Sequence, residues 1–528
     1  MSAQVSGLTS RLPAGLAGIA CASLGLWLGF PSDLPSLPLL CLLYPAGLAL
    51  LSRHARSWRS ALLWGWAAGI PGHFAALYWL ALPLSQVGGL PLLAAVPLAL
   101  LVCCGLSIQC AVFTLFCWRF WQPRLLSSGL AMGLAWHLAE HGFALAFGFP
   151  WLPLAGALAA QPLLVQTAGF AGAFLTSGFW AMAALLAAGS MLGGGLRSAG
   201  AAAVLALVLA GYGWHALAKA PFEAAPTGPG SFPVLMVEGN IDQNQKWGEA
   251  YQQSTVDAYT SLTERACAEA RVAGAADLDQ GLIVWPETAM PFDVTRSRHA
   301  GRIQACVLAC GMPLVTGEPG LEITRQGKRV YNRTQLISAE GYPAGHYDKE
   351  HLVPFGEYVP PFLNWEFLAP LLQEVGAYTP GRSATPLRTG RLVMGALVCY
   401  EGIFPWLAQA RAAQGANLLL DISNDGWFGA TPAPRQHLYL TSLRCIEQKR
   451  WLVRGTNTGI SAVVDANGRI AFAGDQFKAQ ALWARARTES APSLYAAAHP
   501  FIPPLSCALL GLLLWRQYRK TERHASAE

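Results

Sequence analysis

The sequence predicts a multi-span α-helical membrane protein that carries an α/β domain, and three observations lead to this fold class. Hydrophobic residues make up 53% of the 528 residues and charged residues only 12%, about half of the ~25% charged share of ordinary soluble domains. Residues 12–218 are almost free of acidic residues. Residues 232–490, in contrast, have the composition of a water-soluble domain in which strand-like and helix-like segments alternate, as in α/β proteins.

The apolar segments are long enough to cross a bilayer, which requires about 20 predominantly apolar residues. The sequence predicts eight spans, near residues 12–30, 34–52, 60–83, 88–118, 125–147, 165–189, 196–217 and 496–515. We therefore expect a seven-span domain over residues 1–218, a globular domain over residues 219–490, and a final helix with a basic tail over residues 491–528.

Basic residues flank alternate ends of these spans, and they predict the orientation of the chain. Arginine and lysine residues cluster after the second, fourth, sixth and eighth spans, at Arg53, Arg56, Arg59, Arg119, Arg124, Arg197, Arg516, Arg519, Lys520 and Arg523. Both termini are therefore expected in the cytoplasm and residues 218–495 on the far side, the periplasm of a bacterium. Much of the net charge of +6 belongs to these flanks, so it indicates no nucleic-acid partner.

Most of the twelve cysteines lie in the predicted spans, and five fall in the globular domain: Cys267, Cys306, Cys310, Cys399 and Cys445. A zinc ribbon or a thioredoxin-type site is not supported because the sequence has no CxxC pair. Cys306 and Cys310 are expected on the buried face of one helix. Since the number is odd, at least one thiol must remain unpaired in an oxidising compartment, and Cys399 is the candidate.

Within the globular domain, the predicted elements follow one another in a regular order. Strands are expected in "FPVLMVEGN", "GLIVWPE", "MPLVTGEP", "VYNRTQLISA", "RLVMGALVCYE", "NLLLDISNDGWFG", "GISAVVDANG" and "RIAFAG", and helices near 249–274, 297–311, up to about 414 and 433–451. Because such a sheet is largely buried, its reactive groups are expected at the strand ends.

Three residues at such strand ends suit catalysis: Glu287 ends "LIVWPE", Lys349 lies in "GHYDKEHLVPFGEYVP", and Cys399 ends "LVCYE". Each alone has an ordinary interpretation as a solvated turn carboxylate, a surface lysine or a packed thiol. Together, on successive strand ends of one sheet, they predict nucleophilic catalysis. A carboxylate base can take the proton of a thiol, whose reference pKa is about 8.5, and an ammonium group can stabilise the thiolate and the oxyanion. The predicted chemistry is acyl transfer through a thioester.

These residues resemble the Glu-Lys-Cys triad of the nitrilase superfamily, whose domains are αββα sandwiches, and Glu287, Lys349 and Cys399 match it one by one. Together with the membrane segments, "KWGEAYQQ", "YDKEHLVPFGEYVP", "VCYEGIFP" and "SNDGWFG" make the chain similar to the apolipoprotein N-acyltransferase family. The resemblance covers essentially the whole chain. It implies that Glu287 is the general base, Lys349 the oxyanion and thiolate stabiliser, and Cys399 the nucleophile.

The same resemblance implies the substrates. The sn-1 acyl chain of a phospholipid, typically phosphatidylethanolamine, would pass to the α-amine of the S-diacylglyceryl-cysteine of an apolipoprotein at the bacterial inner membrane, with no cofactor or metal and by a monomer. It implies supporting roles for Trp247, Glu357, Tyr400 and Glu401, with Glu357 orienting Lys349. Glu238 stands where relatives often have Gln. The apolar segment 360–378 is expected to form an interfacial arm over the site.

Three other interpretations remain open at this point. A membrane-tethered amidase or nitrilase-type hydrolase would use the same triad with water as acceptor, whereas the spans and the apolar arm favour lipid substrates. A transporter or scaffold with an inactive domain would not need the complete triad. Finally, "HLAEH" contains His137, Glu140 and His141 in the H-x-x-E-H pattern of some metallopeptidases, but no convincing third ligand follows, and a packing or lipid-headgroup role is the alternative.

Overall fold

The computed structural model describes residues 11–86, 88–242, 246–325, 327–359 and 377–525. The amino-terminal half is helical, with α1 Arg11–Gly29, α2 Leu43–His54, α3 Trp58–Leu77, α4 Ala81–Gln86, α5 Leu92–Leu106, α6 Ile108–Phe120, α7 Leu126–Phe147, α8 Leu154–Leu158, α9 Ala168–Gly189 and α10 Gly195–Ala218. At the carboxyl end follow α15 Leu494–Ala498 and α16 Ile502–Ala525. We call α1–α10 the helical half.

Three helical stretches in the described residues are long and apolar enough to cross a membrane: Trp58–Gln86, Leu92–Phe120 and Ala168–Ala218. The last of these contains two predicted spans, α9 and α10, joined by a π-helical turn over Ser190–Gly194. Ser198 at the start of α10 donates a hydrogen bond to the Leu186 carbonyl near the end of α9, at 2.7 Å. The chain is therefore a multi-span membrane protein, while the full count of eight spans stays a prediction.

The globular domain contains twelve strands and four helices in the described residues. The strands are β1 Ser231–Glu238, β2 Leu282–Val284, β3 Leu314–Thr324, β4 Gly327–Ile337, β5 Pro343–Asp348, β6 Leu387–Thr389, β7 Leu392–Val398, β8 Leu418–Ser423, β9 Leu452–Thr456, β10 Ala462–Val464, β11 Ile470–Ala473 and β12 Gln480–Arg487. The helices are α11 Gln252–Val272, α12 Ala300–Cys310, α13 Pro405–Ala413 and α14 Ala433–Gln448.

These strands form two six-stranded sheets, with the orders β12-β1-β2-β3-β4-β5 and β11-β10-β9-β8-β7-β6. The sheets face each other across one apolar core, to which Met236 and Val284 of the first sheet and Val398 and Ile422 of the second belong. Helices α11 and α12 cover the outer face of the first sheet, and α13 and α14 cover that of the second. The domain is an αββα sandwich, as predicted.

Helix α14 lies between the second sheet and the helical half. Nearly all of its side chains are buried, since it packs against β-sheet residues on one side and against α8 and α9 on the other. Trp79 and Trp151 of the helical half belong to the same apolar cluster as Leu438 of α14 and Leu419 of β8. The sheet, α14 and the helical half therefore form successive layers.

Several strands were not predicted from the sequence: β5, β6, β9 and β12. The helix predicted over 433–451 ends three residues earlier, at Gln448. Lys449 then adopts a left-handed conformation (φ 51°), and β9 begins at Leu452. The expected interfacial arm 360–378 lies outside the described residues except for its last two positions. Cys306 and Cys310 are both buried on α12, as expected, and Cys310 additionally forms a disulfide with Cys267 of α11.

Candidate active site

The three residues of the predicted triad meet at one edge of the sandwich, where strands β2, β5 and β7 end. Glu287 lies three residues after β2, Lys349 directly after β5 and Cys399 directly after β7. The expectation that all three follow strands of one sheet is wrong, because β2 and β5 belong to the first sheet and β7 to the second. The set therefore assembles only when the sandwich closes.

The carboxylate of Glu287 is buried and held from both sheets. Its Oε1 accepts a hydrogen bond from Asn332 Nδ2 of β4 at 2.7 Å, and its Oε2 accepts one from the backbone N–H of Asn424, after β8, at 2.9 Å. The ammonium group of Lys246 donates to the carbonyl oxygen of Glu287 at 3.3 Å and to Thr288 Oγ1 at 2.7 Å. These contacts fix the orientation of the carboxylate, and sequence reasoning missed Lys246, Asn332 and Asn424.

Lys349 lies between two carboxylates, with only 1% of its side chain exposed. Its Nζ is 3.0 Å from Glu357 Oε2 and 3.6 Å from Glu287 Oε1. Burial opposes the ammonium charge, but the Glu357 and Glu287 carboxylates outweigh it and raise the pKa of Lys349 above its usual value. The lysine is therefore a fixed positive charge. Glu357, to which Asn332 also donates at 2.6 Å, contacts the ammonium group, and its expected role in orienting Lys349 stays a prediction.

Cys399 follows β7 directly and has a left-handed backbone conformation (φ 53°), which is unusual for a residue with a side chain. It begins a 3₁₀ turn, Cys399–Ile403. Burial raises the pKa of the Cys399 thiol and the charge of Glu287 raises it further, while Lys349 opposes both. The resting thiol is therefore protonated, and attack on a carbonyl requires a base to remove its proton.

A buried network on the second sheet holds the backbone of Cys399. His437 Nε2 lies 2.9 Å from the Cys399 carbonyl oxygen, and Arg454 Nη2 lies 3.0 Å from His437 Nδ1. Because the guanidinium can only donate, Nδ1 accepts and Nε2–H donates to the carbonyl. This hydrogen bond stabilises the left-handed backbone conformation of Cys399. The sequence pattern alone did not point to His437.

Arg454 is itself fixed by two aspartates, Asp421 and Asp425, both fully buried with it. It donates to Asp425 at 2.9 Å. Although burial opposes ionisation, the charge of Arg454 and the hydrogen bond that the Ser423 hydroxyl donates hold the pKa of Asp425 below its usual range. The signal in the sequence was "DISND", which was interpreted as part of a strand and, within "SNDGWFG", of the family resemblance, without a role for either aspartate.

Three of the expected supporting residues lie in different environments. Glu401 is fully buried and accepts hydrogen bonds from Tyr347 Oη at 2.8 Å and from the N–H groups of His351 at 3.0 Å and Val398 at 2.9 Å. It therefore links the loop after β5 to the turn that carries the nucleophile. Trp247, in contrast, has an exposed fraction of 50%, and the structure does not bring it into the buried set.

Tyr400, next to the nucleophile, contacts the helical half. Its hydroxyl donates to the carbonyl oxygen of Gly148, just after α7, and its ring stacks on Phe149 with the centroids 6.2 Å apart. The residue that follows the nucleophile therefore lies at the boundary between the two parts of the chain.

Gln436, next to His437 on α14, forms hydrogen bonds between α14 and the helical half. Its Oε1 accepts hydrogen bonds from the indole N–H groups of Trp79 at 3.1 Å and Trp151 at 2.8 Å. Its Nε2 donates to the carbonyls of Pro31 at 2.9 Å and Ala76 at 3.0 Å. All four hydrogen-bonding positions of this buried amide are occupied by the helical half, which holds α14, and with it His437, in place.

The "HLAEH" residues lie on α7, outside the buried set of side chains around the triad. Glu140 accepts hydrogen bonds from Trp136 Nε1 at 2.7 Å and the N–H of Leu154 at 2.8 Å, while the rings of His137 and His141 are 6.1 Å apart. In the part of the chain that the structure describes, no group of three His, Cys, Asp or Glu side chains is arranged to hold a metal ion. The metallopeptidase pattern thus gains no third ligand there.

A base, a fixed cation and a thiol at the joined edge of an αββα sandwich are suited to acyl transfer through a thioester. Consistent with this, residues 242–491 match the carbon-nitrogen hydrolase family model, which defines the class of the globular domain. The structure of an amidase from Nesterenkonia sp. is 18% identical, with a TM-score of 0.35, and the match covers 52% of this chain and 94% of that one.

The helical half adds the more specific match. Residues 22–187 match the model of the apolipoprotein N-acyltransferase N-terminal domain. The apolipoprotein N-acyltransferase of Geobacter metallireducens is 35% identical over 78% of this chain and 78% of its own length. That of Azotobacter vinelandii is 32% identical over 97% of this chain and 96% of its own length. The chain belongs to the apolipoprotein N-acyltransferase family.

Proposed function

We propose that this enzyme transfers the sn-1 acyl chain of a phospholipid, phosphatidylethanolamine, through a thioester on Cys399 to the α-amine of the S-diacylglyceryl-cysteine of an apolipoprotein. The chain is an acyltransferase of lipoprotein maturation, as its family membership indicates. The choice of donor, the residues that act and the monomeric state belong to the proposal.

In the first half-reaction, Glu287 takes the thiol proton as Cys399 Sγ attacks the ester carbonyl. Lys349, the fixed ammonium group, stabilises the oxyanion of the tetrahedral intermediate. Collapse of the intermediate breaks the ester bond, and the departing sn-1 oxygen of the lysophospholipid takes the proton from Glu287. The products are an S-acyl Cys399 and a lysophospholipid.

In the second half-reaction, the neutral α-amine of the acceptor attacks the thioester carbonyl and Glu287 takes the proton that this nitrogen releases. The intermediate collapses to an amide, and the Cys399 thiolate recovers its proton from Glu287. Ester is exchanged for amide, which runs downhill, and the thioester keeps the carbonyl reactive to the amine in between.

The observation that carries the proposal is the contact of the nucleophile's neighbour with the helical half. Tyr400 donates to the Gly148 carbonyl and stacks on Phe149, so the boundary with the helices lies one residue from the thiol. This position suits substrates that are anchored in lipid, whereas a soluble amide or nitrile would need no such boundary.

We further propose that the helical half, residues 1–218, and the last helix, residues 491–528, lie in the bacterial inner membrane, with residues 219–490 in the periplasm. The alternation of basic flanks supports this orientation, and so does the Cys267–Cys310 disulfide, since such bonds persist in oxidising compartments. Alkaline phosphatase fused after Lys219 should be active and phosphatase fused at the carboxyl terminus inactive. The reverse pattern would contradict the orientation.

Discharge of the acyl-enzyme separates the transferase from an amidase-like hydrolase. The acyl-enzyme, isolated in detergent, should persist for many minutes without acceptor and discharge quickly when a diacylglyceryl-cysteinyl peptide with a free amine is added. The same peptide with an acetylated amine is the matched control and should leave it intact. Rapid release of free fatty acid that neither peptide alters would instead establish the hydrolase.

A further inference from the structure

A cavity in the helical half lies next to the boundary with the catalytic domain. Its volume is about 40 Å³, more than the roughly 10–15 Å³ that one water molecule requires. Polar and aromatic residues of the helical half line it, among them Tyr44, His73, Gln109, Glu140, Phe149 and Trp151. Neither the metallopeptidase pattern nor the proposed chemistry accounts for this cavity.

Glu140 supplies a carboxyl oxygen that has no partner. Its Oε1 accepts from Trp136 Nε1 and from the N–H of Leu154, and the Ser177 hydroxyl also interacts with the carboxyl group. Its Oε2 has no hydrogen-bond partner among the described residues, although only 5% of the side chain is exposed. Buried acceptors are normally satisfied, so this oxygen is suited to a donor that enters the cavity.

The remaining lining favours a cation. The described lining contains no Lys or Arg, so Glu140 has no protein counter-ion there. His73 Nδ1 lies 3.0 Å from the carbonyl oxygen of Gly69, which can only accept, so Nδ1 carries the proton and Nε2 of the neutral ring is a second acceptor.

The cavity is also close to the nucleophile. Phe149, in its wall, stacks on Tyr400, which follows Cys399 in the chain. Trp151, also in its wall, lies 5.4 Å from the ring of His437, which donates to the Cys399 carbonyl. One layer of side chains therefore separates the cavity from the turn that carries the thiol.

We propose that this cavity binds the ammonium group of the donor's ethanolamine head group, with Glu140 as its counter-ion. The inference rests on the proposed function, in which the donor is phosphatidylethanolamine. The α-amine of the acceptor is not the ligand, because it must reach the Cys399 thioester as a neutral nucleophile. An ammonium group fits because it brings a charge and three N–H donors to a site that offers a carboxylate and a neutral imidazole acceptor.

The test uses Glu140→Gln in the full-length enzyme, since glutamine keeps the Oε1 acceptor and replaces the unpartnered oxygen by a donor. Single-turnover acylation of Cys399 is measured with phosphatidylethanolamine and with phosphatidylglycerol of identical acyl chains, and discharge is measured with the diacylglyceryl-cysteinyl peptide. Asp33→Asn, in the same half but outside the cavity lining, is the matched control and should leave every rate within twofold.

One pattern of rates supports the proposal. Acylation from phosphatidylethanolamine falls at least tenfold, while acylation from phosphatidylglycerol and discharge by the peptide are unchanged. A loss confined to discharge would place the acceptor rather than the head group at Glu140 and would overturn the proposal. An equal loss with all substrates, as a purely structural role of Glu140 predicts, or no loss at all, would overturn it.

A measurement on the parent enzyme covers the case in which Glu140→Gln does not fold. Glycerophosphoethanolamine should slow acylation by competing for the cavity, and glycerophosphoglycerol, which lacks the ammonium group, should not. Equal effects of the two would overturn the proposal. Failure of the proposed function is distinguishable, because the parent enzyme would then form no acyl-Cys399 or would release fatty acid without acceptor.

Discussion

Replacing Lys349 by methionine tests the role of the buried cation, and its cost can be worked out from the structure. The ammonium group lies 3.0 Å from Glu357 and 3.6 Å from Glu287, and methionine leaves these two buried carboxylates with the Asn332 amide between them. Removing one partner of a buried ion pair costs about 3–5 kcal/mol of folding free energy. We therefore expect a marked loss of stability.

The loss of rate has a separate magnitude. Removing one oxyanion donor typically costs about 2.7–4 kcal/mol, roughly 10²–10³ in rate. In Lys349→Met, moreover, the Glu287 and Glu357 carboxylates lose the positive charge that lies between them. We expect acylation at least 10²-fold slower than in the parent, measured by rapid-quench single-turnover kinetics with a radiolabelled phospholipid.

Two further variants separate rate from stability. Lys478→Met is the matched control, since Lys478 forms an exposed pair with Asp475 of the kind worth about 0–1 kcal/mol, and its rate should equal that of the parent. The double variant Lys349→Met/Glu357→Gln removes one unpaired carboxylate and should recover part of the stability but not the rate. An acylation rate within threefold of the parent in Lys349→Met would refute the reasoning.

Other predictions concern groups outside the triad. Burial raises the pKa of Glu238 to about 7, so between pH ~4.5 and 7 the folded state holds a proton that the unfolded state releases. About 3 kcal/mol of folding stability is therefore lost as the pH rises through this range. Glu238→Gln should therefore shrink the fall in Tm from pH 5 to pH 8, and an equal fall would contradict this cause. Gln436→Leu leaves its four buried partners in the helical half unpaired and should cost several kcal/mol in thermal unfolding, whereas the exposed Gln253→Leu should cost nothing measurable. His437→Phe removes the hydrogen bond to the Cys399 carbonyl, worth about 1 kcal/mol, and should slow acylation by roughly fivefold to tenfold. An unchanged acylation rate would show that catalysis does not require this hydrogen bond.

Much of the globular fold was predictable because its central strands are continuous apolar runs. "LIVW" is fully buried and "LVMGALV" is buried except at Val393, so both are recognisable without tertiary context. Glu287 and Cys399, the polar residues that follow them, were identified by position alone. In contrast, β12 (Gln480–Arg487) is half-buried along most of its length, and its sequence shows neither regular alternation nor a long apolar run. It becomes a strand because β1 offers it an unpaired edge.

The assignment of strands to sheets could not be predicted for a related reason. Periodicity reports burial but not which sheet a strand joins, so Cys399 was expected on the same sheet as Glu287 and Lys349. The disulfide between Cys267 and Cys310 depends likewise on how α11 packs against α12, 43 residues apart. His437 was missed because its role depends on two contacts, with Arg454 and with the Cys399 carbonyl, that only the folded chain creates.

The measurement that tests the central claim most directly is the intact mass of the detergent-purified enzyme after incubation with a phospholipid labelled in its sn-1 chain. We predict one acyl adduct that carries the sn-1 label and maps to Cys399, and none in Cys399→Ala. Cys306→Ala and Cys445→Ala, which remove the other free thiols of the globular domain, should still form it. A normal adduct in Cys399→Ala, or an adduct mapped to another residue, would contradict the account.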